Sequence, residues 1–341
     1  MLAIEPIHTL QGESNMSHDL DFSTGKPAMA YVGAKPWHGL GEELKAGQSI
    51  DEWVKAAGLD WEIQMLPVHY FMGDKPLLMP ERFVLARSDT HKALSVVSDD
   101  YTPVQPREVL EFYRDLVSLR HYTLETAGAL DGGRKVWALA RTGLVANVAG
   151  NPADALGAFV LLATSCDKSL ATTITFTSVR VVCQNTLNFA VTDMKSEGRR
   201  SIKVNHSQKF NSELIHKELG LMDASWEGFK KKLTPMAAHR LDTKSAHEFF
   251  LNLLLSEKEK EVGKVSDKKG REVLQLMSLF SAAPGQSVDT AKGTLWGAIN
   301  AVTYFVDHVR TGTTDRMDSA WFGTGNAMKE KAWAEALRML G

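Results

Sequence analysis

Cysteine is nearly absent. The 341 residues include only Cys166 and Cys183, too few for the disulfide framework that staples small secreted domains. No charged segment followed by an apolar stretch opens the chain, which argues against a secretory leader. No apolar run approaches the roughly 18 residues that a membrane helix needs, since residues 249–255 are short and carry Asn252. A dominant charge is missing too: 39 Lys and Arg against 41 Asp and Glu leave a net charge of −2. The whole molecule therefore has no polyelectrolyte field to draw it to nucleic acid or to an anionic membrane. The expectation is a cytoplasmic protein in a reducing compartment, without a membrane partner, in which any nucleic-acid site is a local patch.

Chemical motifs are equally sparse. No Gly-x-x-x-x-Gly-Lys-Ser/Thr phosphate loop occurs, and the eleven His include no His-x-x-x-His pair of the spacing that zinc sites favour. Neither is there a Cys-x-x-Cys pair. No cofactor and no metal are expected. A nucleophilic cysteine would pair Cys183 with His206 and Asn185, but Cys183 falls at an apolar position, where a thiol behaves as a small inert hydrophobe. No reaction is legible in the residues.

What is present is an alternation of strands and helices. Ser49 and Glu52 have the spacing of a capping box opening a helix that stops at Gly58. Residues 61–72, 83–87 and 93–98 read as three strands. Residues 107–119 place Val109, Phe112, Leu116 and Leu119 on one helical face. Strands over 122–130 and 134–140 flank Asp131-Gly132-Gly133, whose Asp-Gly step permits the positive φ of a tight turn. Residues 157–164 and 170–177 form another strand pair around the polar turn Ser165-Cys166-Asp167-Lys168-Ser169. The period then changes, and Val179, Val182, Cys183, Leu187 and Ala190 predict a helix over 178–191. Helices follow over 207–233 (ending at Pro235), 243–255 from a Thr243 cap, 267–280, 290–309 and 326–340. Residues 257–269 and 312–325 read as exposed connections.

The fold class expected is α+β, with a mainly antiparallel sheet built from strand-strand-helix units and a largely helical C-terminal half. Its parts are a mobile arm over residues 1–30, an α+β core over 31–206 and a helical region over 207–341 packed on that core.

One segment departs from the neutral balance. Between Lys195 and Lys217, six cations face two acids, a surplus of +4 within a chain of net −2. A strip of this sort binds a phosphate backbone, because each Lys or Arg that neutralises a phosphate releases counterions. Lys195, Arg199, Arg200, Lys203, His206 and Lys209 are the candidate nucleic-acid-binding residues, together with Arg180. The planar guanidinium of Arg180 suits either a phosphate or a buried acid such as Asp167. Gln184 and Asn185 read as core amides or caps.

Several blocks carry a family resemblance: Trp37-His38-Gly39-Leu40-Gly41, Asp100-Tyr101-Thr102-Pro103-Val104-Gln105, Thr126-Ala127-Gly128-Ala129-Leu130-Asp131-Gly132-Gly133-Arg134, Val179-Arg180-Val181-Val182-Cys183-Gln184-Asn185-Thr186-Leu187, and Asn300-Ala301-Val302-Thr303-Tyr304-Phe305-Val306-Asp307-His308. They resemble the phage/plasmid-like protein family, a domain of unknown function (number 932) carried by bacteriophages, plasmids and prophages. The similarity runs from about residue 31 to the C-terminus. It implies a cytoplasmic protein of a mobile element and supplies no activity. Members often carry Ser-His-Asp-Gly-Ser where this chain has Ser165-Cys166-Asp167-Lys168-Ser169, so chemistry by a turn histidine is not expected here. The strand and helix order is also similar to the core of phage single-strand annealing proteins, a likeness at the level of fold alone.

Two functions are therefore expected as alternatives. One is binding of single-stranded DNA in replication, recombination or transfer of a mobile element. The other is a non-catalytic host-interaction or assembly role for the helical half, through Trp296, Trp321, Phe322 and Trp333. A homo-oligomer and a host protein remain open as partners.

Overall fold

Alternating β-branched and small apolar residues account for most of the strands. The computed structural model describes residues 20–33, 35–36, 39–120, 122–182, 186–188, 201–204, 222–310 and 316–341. In chain order the first half runs β1 (Met29–Val32), β2 (Glu42–Leu44), α1 (Ile50–Ala56), β3 (Ile63–Met72), β4 (Lys75–Arg87), β5 (Ala93–Ser98) and α2 (Pro106–Arg120). It continues with β6 (Thr123–Leu130), β7 (Lys135–Asn147), β8 (Ala155–Ser165), β9 (Thr172–Arg180), β10 (Thr186–Asn188) and β11 (Ser201–Val204). The second half is helical: α3 (Met222–Ala238), α4 (Thr243–Leu254), α5 (Glu257–Val262), α6 (Asp267–Ala282), α7 (Leu295–Tyr304), α8 (Arg316–Trp321) and α9 (Thr324–Leu340), with a π-helical turn over Phe305–Val309.

The larger sheet has the order β10-β9-β8-β7-β6-β1-β2, and β11 also lies along β9. The β1–β2 pair is parallel, while the other pairs in this sheet are antiparallel. A separate three-stranded sheet has the order β3-β4-β5. The fold is thus α+β, mostly antiparallel, with helices in the C-terminal half, as the residue pattern predicts.

Local chemistry explains several elements directly. The Ser49–Glu52 capping box is formed, with Glu52 N donating to Ser49 Oγ and Ser49 N donating to Glu52 Oε2 at 2.7 Å. The β6–β7 connection is the four-residue loop 131–134 between the paired Leu130 and Lys135, with Asp131, Gly132 and Gly133 at φ 49°, 66° and 93°, left-handed backbone that glycine adopts without steric cost. Strand β8 is a near-continuous apolar run because both of its faces are covered. Ala158, Val160 and Leu162 join a core shared with α2 and the C-terminal helices. Phe159, Leu161 and Ala163 join Trp137 and Leu139 in a second cluster beneath Trp321 and Phe322. Each large side chain so buried contributes about 1.5–3 kcal/mol.

The structure departs from the sequence reading at several places. Residues 178–180 are the end of β9, not the start of a helix. Val181 and Val182 form a turn, and Thr186–Asn188 returns as β10, with Thr186 opposite Val179 and Asn188 opposite Thr177. The Thr-rich, β-branched run 172–180 favours extended backbone, and the helical spacing of Val179, Val182 and Leu187 arises from the two arms of a turn. Cys183, Gln184 and Asn185 lie outside the described residues.

Within the expected arm, residues 20–30 are built into the body. Leu20 bridges Leu130, Met29 belongs to β1, and the buried Asp21 pairs with the equally buried Arg87. Arg87 also grips Asp89 through Nε and Nη2 at 2.9 and 2.7 Å and lies 4.1 Å from the Trp61 ring. Asp21 carries no apolar signal, so hydrophobic patterning alone missed it.

Helix α3 continues through Pro235, whose carbonyl accepts from His239 N at 3.0 Å. The cap of α4 is Asp242, one residue before Thr243. The expected connection at 257–269 contains α5, held by a Ser256–Glu259 capping box. Lys269 and that box hold the Glu259 carboxyl at about 2. Residues 290–293 are turns and Thr294 caps α7, and α8 occupies part of the expected loop at 312–325.

Candidate functional site

The second face of the larger sheet carries a cavity of about 270 Å³. Its floor follows from strand alternation, since residues two apart share a face: Trp137, Leu139 and Arg141 on β7, Gly157 and Phe159 on β8, and Val179 on β9 all line it. Its roof is Asp307 and His308 of the π-helical turn with Met317, Ala320 and Trp321 of α8. Trp137 and Trp321 meet edge to face, with centroids 5.1 Å apart and planes at 69°. A Cβ at Gly157 would stand 3.0 Å from the Phe159 ring, so any other residue there would push the ring aside.

The polar groups of the cavity are few. Arg141 binds Glu125 with two bonds, Nη2 to Oε1 at 2.6 Å and Nε to Oε2 at 3.1 Å. Glu125 holds the guanidinium pKa above its ordinary value, and the cation lies 5.3 Å from the Phe159 ring. Asp307 Oδ2 accepts from Thr186 N at 2.8 Å and from its hydroxyl at 3.1 Å, while Oδ1 pairs with Lys329. Lys329, 1% exposed, also donates to Thr186 Oγ1 at 2.8 Å. Burial pulls the Lys329 ammonium pKa down against the opposing charge of Asp307. Thr186, Asp307 and Lys329 satisfy one another and so pin β10 to the C-terminal helices. The indole N–H of Trp137 is buried without an acceptor among the described residues, an unmet donor on a residue that lines the cavity. Aromatic walls, one cation at the rim and one unmet donor are the chemistry of a binding groove.

Arg180 does not reach this surface. It is 1% exposed, and its Nε donates to Asp154 Oδ1 at 2.5 Å, while Nη2 donates to Gly285 O at 3.2 Å. Its acid is therefore Asp154, not Asp167, whose Oδ1 caps the turn by accepting from Ser169 N at 2.9 Å. Arg180 is a structural cation and is withdrawn from the nucleic-acid-binding set, because a phosphate cannot approach a guanidinium enclosed on all sides. Lys203 lies in β11, its backbone opposite Thr173. Lys195, Arg199, Arg200, His206 and Lys209 lie outside the described residues. Of the aromatics weighed for docking a host protein, Trp296 and Trp333 are buried in the main core, and Trp321 and Phe322 pack over the second cluster. The sequence reading missed Trp137, Arg141 and Phe159. Their common parity on adjacent strands was the available signal.

Among the described residues no three His, Cys, Asp or Glu gather as a metal site would, and no helix is long and apolar enough to cross a membrane. Cys166 is buried, with Sγ 3.4 Å from the carbonyl of Arg134. Burial, and then the charge of Asp167, push its thiol up to about 12. Iodoacetamide at pH 8 is accordingly expected to leave Cys166 unmodified in the native protein and to label it after denaturation, as read by peptide mass mapping. Rapid native labelling of Cys166 would contradict this burial. Lys168 in the same turn has φ 67°, a conformation that glycine adopts without steric cost and that accounts for the glycine at this place in the resembled pattern.

No curated protein and no solved structure matches the chain. The family profile of the domain of unknown function DUF932 matches residues 93–333, which takes in β5 through most of α9, the whole cavity floor from β6 to β9, and the buried Asp154–Arg180 and Asp307–Lys329 pairs, while the Trp37–Gly41 block and the Asp21–Arg87 pair fall before it. The chain belongs to the DUF932 family.

Proposed function

We propose that the chain binds single-stranded DNA in the replication, recombination or transfer of a mobile element. In this reading the cations of residues 195–209 follow the phosphates, and the aromatic cavity takes an unstacked base. The supporting observation is the anchorage of the cationic segment. Strands β10 and β11 lie along the same edge of β9, with Asn188 opposite Thr177 and Ser201 opposite Thr175. Asn188 and Ser201, the described residues that flank Lys195, Arg199 and Arg200 in the chain, thus lie two register positions apart on one edge of the sheet. Val179 and Thr186, at the same edge, line the cavity. A strip of cations beside stacking surfaces is how single strands are held without sequence readout.

Stacking is worth about 1–3 kcal/mol per base, so Trp321→Ala, at a partly exposed residue of the cavity roof, is expected to weaken binding of a short oligothymidylate roughly tenfold. Trp137 and Trp321 line the cavity, so the oligonucleotide should also quench tryptophan emission. Unchanged emission at saturating oligonucleotide and low salt would count against a base in the cavity.

A further inference from the structure

The outer half of the β3–β4 hairpin stands away from the body. Strand β5 pairs with β4 only over residues 82–86, and the β3–β4 register jumps from Pro67↔Phe83 to His69↔Leu78. Glu81 turns this elbow at φ 56°. Beyond it the two strands have only each other in the sheet, and a lone two-stranded ribbon is marginally stable in water. Both of its faces are nevertheless apolar. The pairs His69↔Leu78 and Tyr70↔Leu77 put Phe71 and Leu78 on one face, and Tyr70, Met72 and Leu77 on the other. Phe71 keeps 70% of its surface exposed, Met72 65% and Leu78 57%.

We propose that this ribbon is an arm that packs against a second copy of the chain. The five side chains expose on the order of 500 Å² of apolar surface, about half of it on each face. The ribbon's charges are self-complementary: Asp74-Lys75 at the tip and Glu81-Arg82 at the elbow sum to zero. An antiparallel second ribbon sets Lys75 beside Glu81 and Asp74 beside Arg82, the reciprocal pattern of a two-fold contact. A ribbon made for an anionic lipid surface would instead carry clustered cations. Pro67, Pro76 and Pro80 remove N–H donors from the strand edges, which disfavours strand addition and leaves face-to-face packing as the mode of contact.

Sedimentation velocity of the full chain between roughly 1 and 50 μM, a range set to span affinities typical of specific interfaces, tests this proposal. The expected species is a dimer or larger. Phe71→Asp with Leu78→Asp, or Met72→Asp with Leu77→Asp, is expected to weaken association at least tenfold for the face that forms the contact. All four positions are exposed, so circular dichroism melting should be unchanged and a loss of association will not reflect unfolding. A 37.6 kDa monomer across the whole range overturns the proposal. Association indifferent to both variants, or binding to anionic vesicles by a chain that stays monomeric, overturns it as well.

Discussion

Asp154→Ala is expected to remove about 3–5 kcal/mol of stability, the cost of stripping one partner from a buried ion pair. Asp154 is wholly buried and serves three donors: Arg180 Nε, the Thr290 hydroxyl and Trp296 Nε1, the last at 3.0 Å. These donors come from β9, from the turn before α7, and from α7 itself, so one carboxylate joins the sheet to the helical half. Alanine removes this carboxylate from the enclosed Arg180 guanidinium, which keeps its bond to Gly285 O, and also frees two buried donors. A loss of this size is a large fraction of the 5–15 kcal/mol that stabilises a typical protein. Urea denaturation followed by tryptophan emission reads it as a lower midpoint at similar slope. The double replacement Asp154→Leu/Arg180→Met should cost less than the sum of its single changes, because removing both charges leaves neither uncompensated. A loss below about 1 kcal/mol for Asp154→Ala would mean that the pair is solvated and that Arg180 is available to ligands after all.

The second large effect concerns binding. Arg199→Glu/Arg200→Glu is expected to weaken affinity for single-stranded DNA about 10²-fold at 50 mM salt, since each lost phosphate contact on a single strand is worth roughly a factor of ten there. Repulsion from the new carboxylates adds to this. Stability should not change in parallel, which separates the effect from that of Asp154. Fluorescence anisotropy with a labelled oligothymidylate measures it, and equal affinity for wild type and variant would remove residues 199 and 200 from the interface.

The sequence disclosed the fold through signals that act over a few residues. The Ser49–Glu52 capping box, the Asp131-Gly132 turn and a strand at each place from β3 to β9 are legible because they depend on local chemistry, although β4 begins at Lys75, before the expected 83–87, and β7 runs on to Asn147, past the expected 134–140. The helix expected at 178–191 failed because a strand, a turn and a second strand can reproduce a helical period over a short window. Pro235 was read as a terminator, yet it sits in α3 with its carbonyl still bonded to His239 N.

Long-range pairing was hidden for a different reason. Arg180 was recognised as either a clamp or an ion-pair member, but nothing local selects Asp154, 26 residues away, over Asp167. The Asp21–Arg87 and Asp307–Lys329 pairs are likewise made by topology. The cavity was invisible because its walls come from six separate strands and two helical segments, although the shared parity of Trp137, Leu139 and Arg141 follows directly from the strand period. The cationic strip, by contrast, was readable from composition alone.

The most direct test of the binding account is the salt dependence of wild-type affinity for a single-stranded oligonucleotide. Four to six phosphate contacts predict a slope of log K against log salt of roughly −3 to −4, following about −0.7 per contact on single strands. Such a slope, together with weaker binding by Arg199→Glu/Arg200→Glu, is the predicted result. No binding at low salt, or an affinity that salt leaves unchanged, would contradict it.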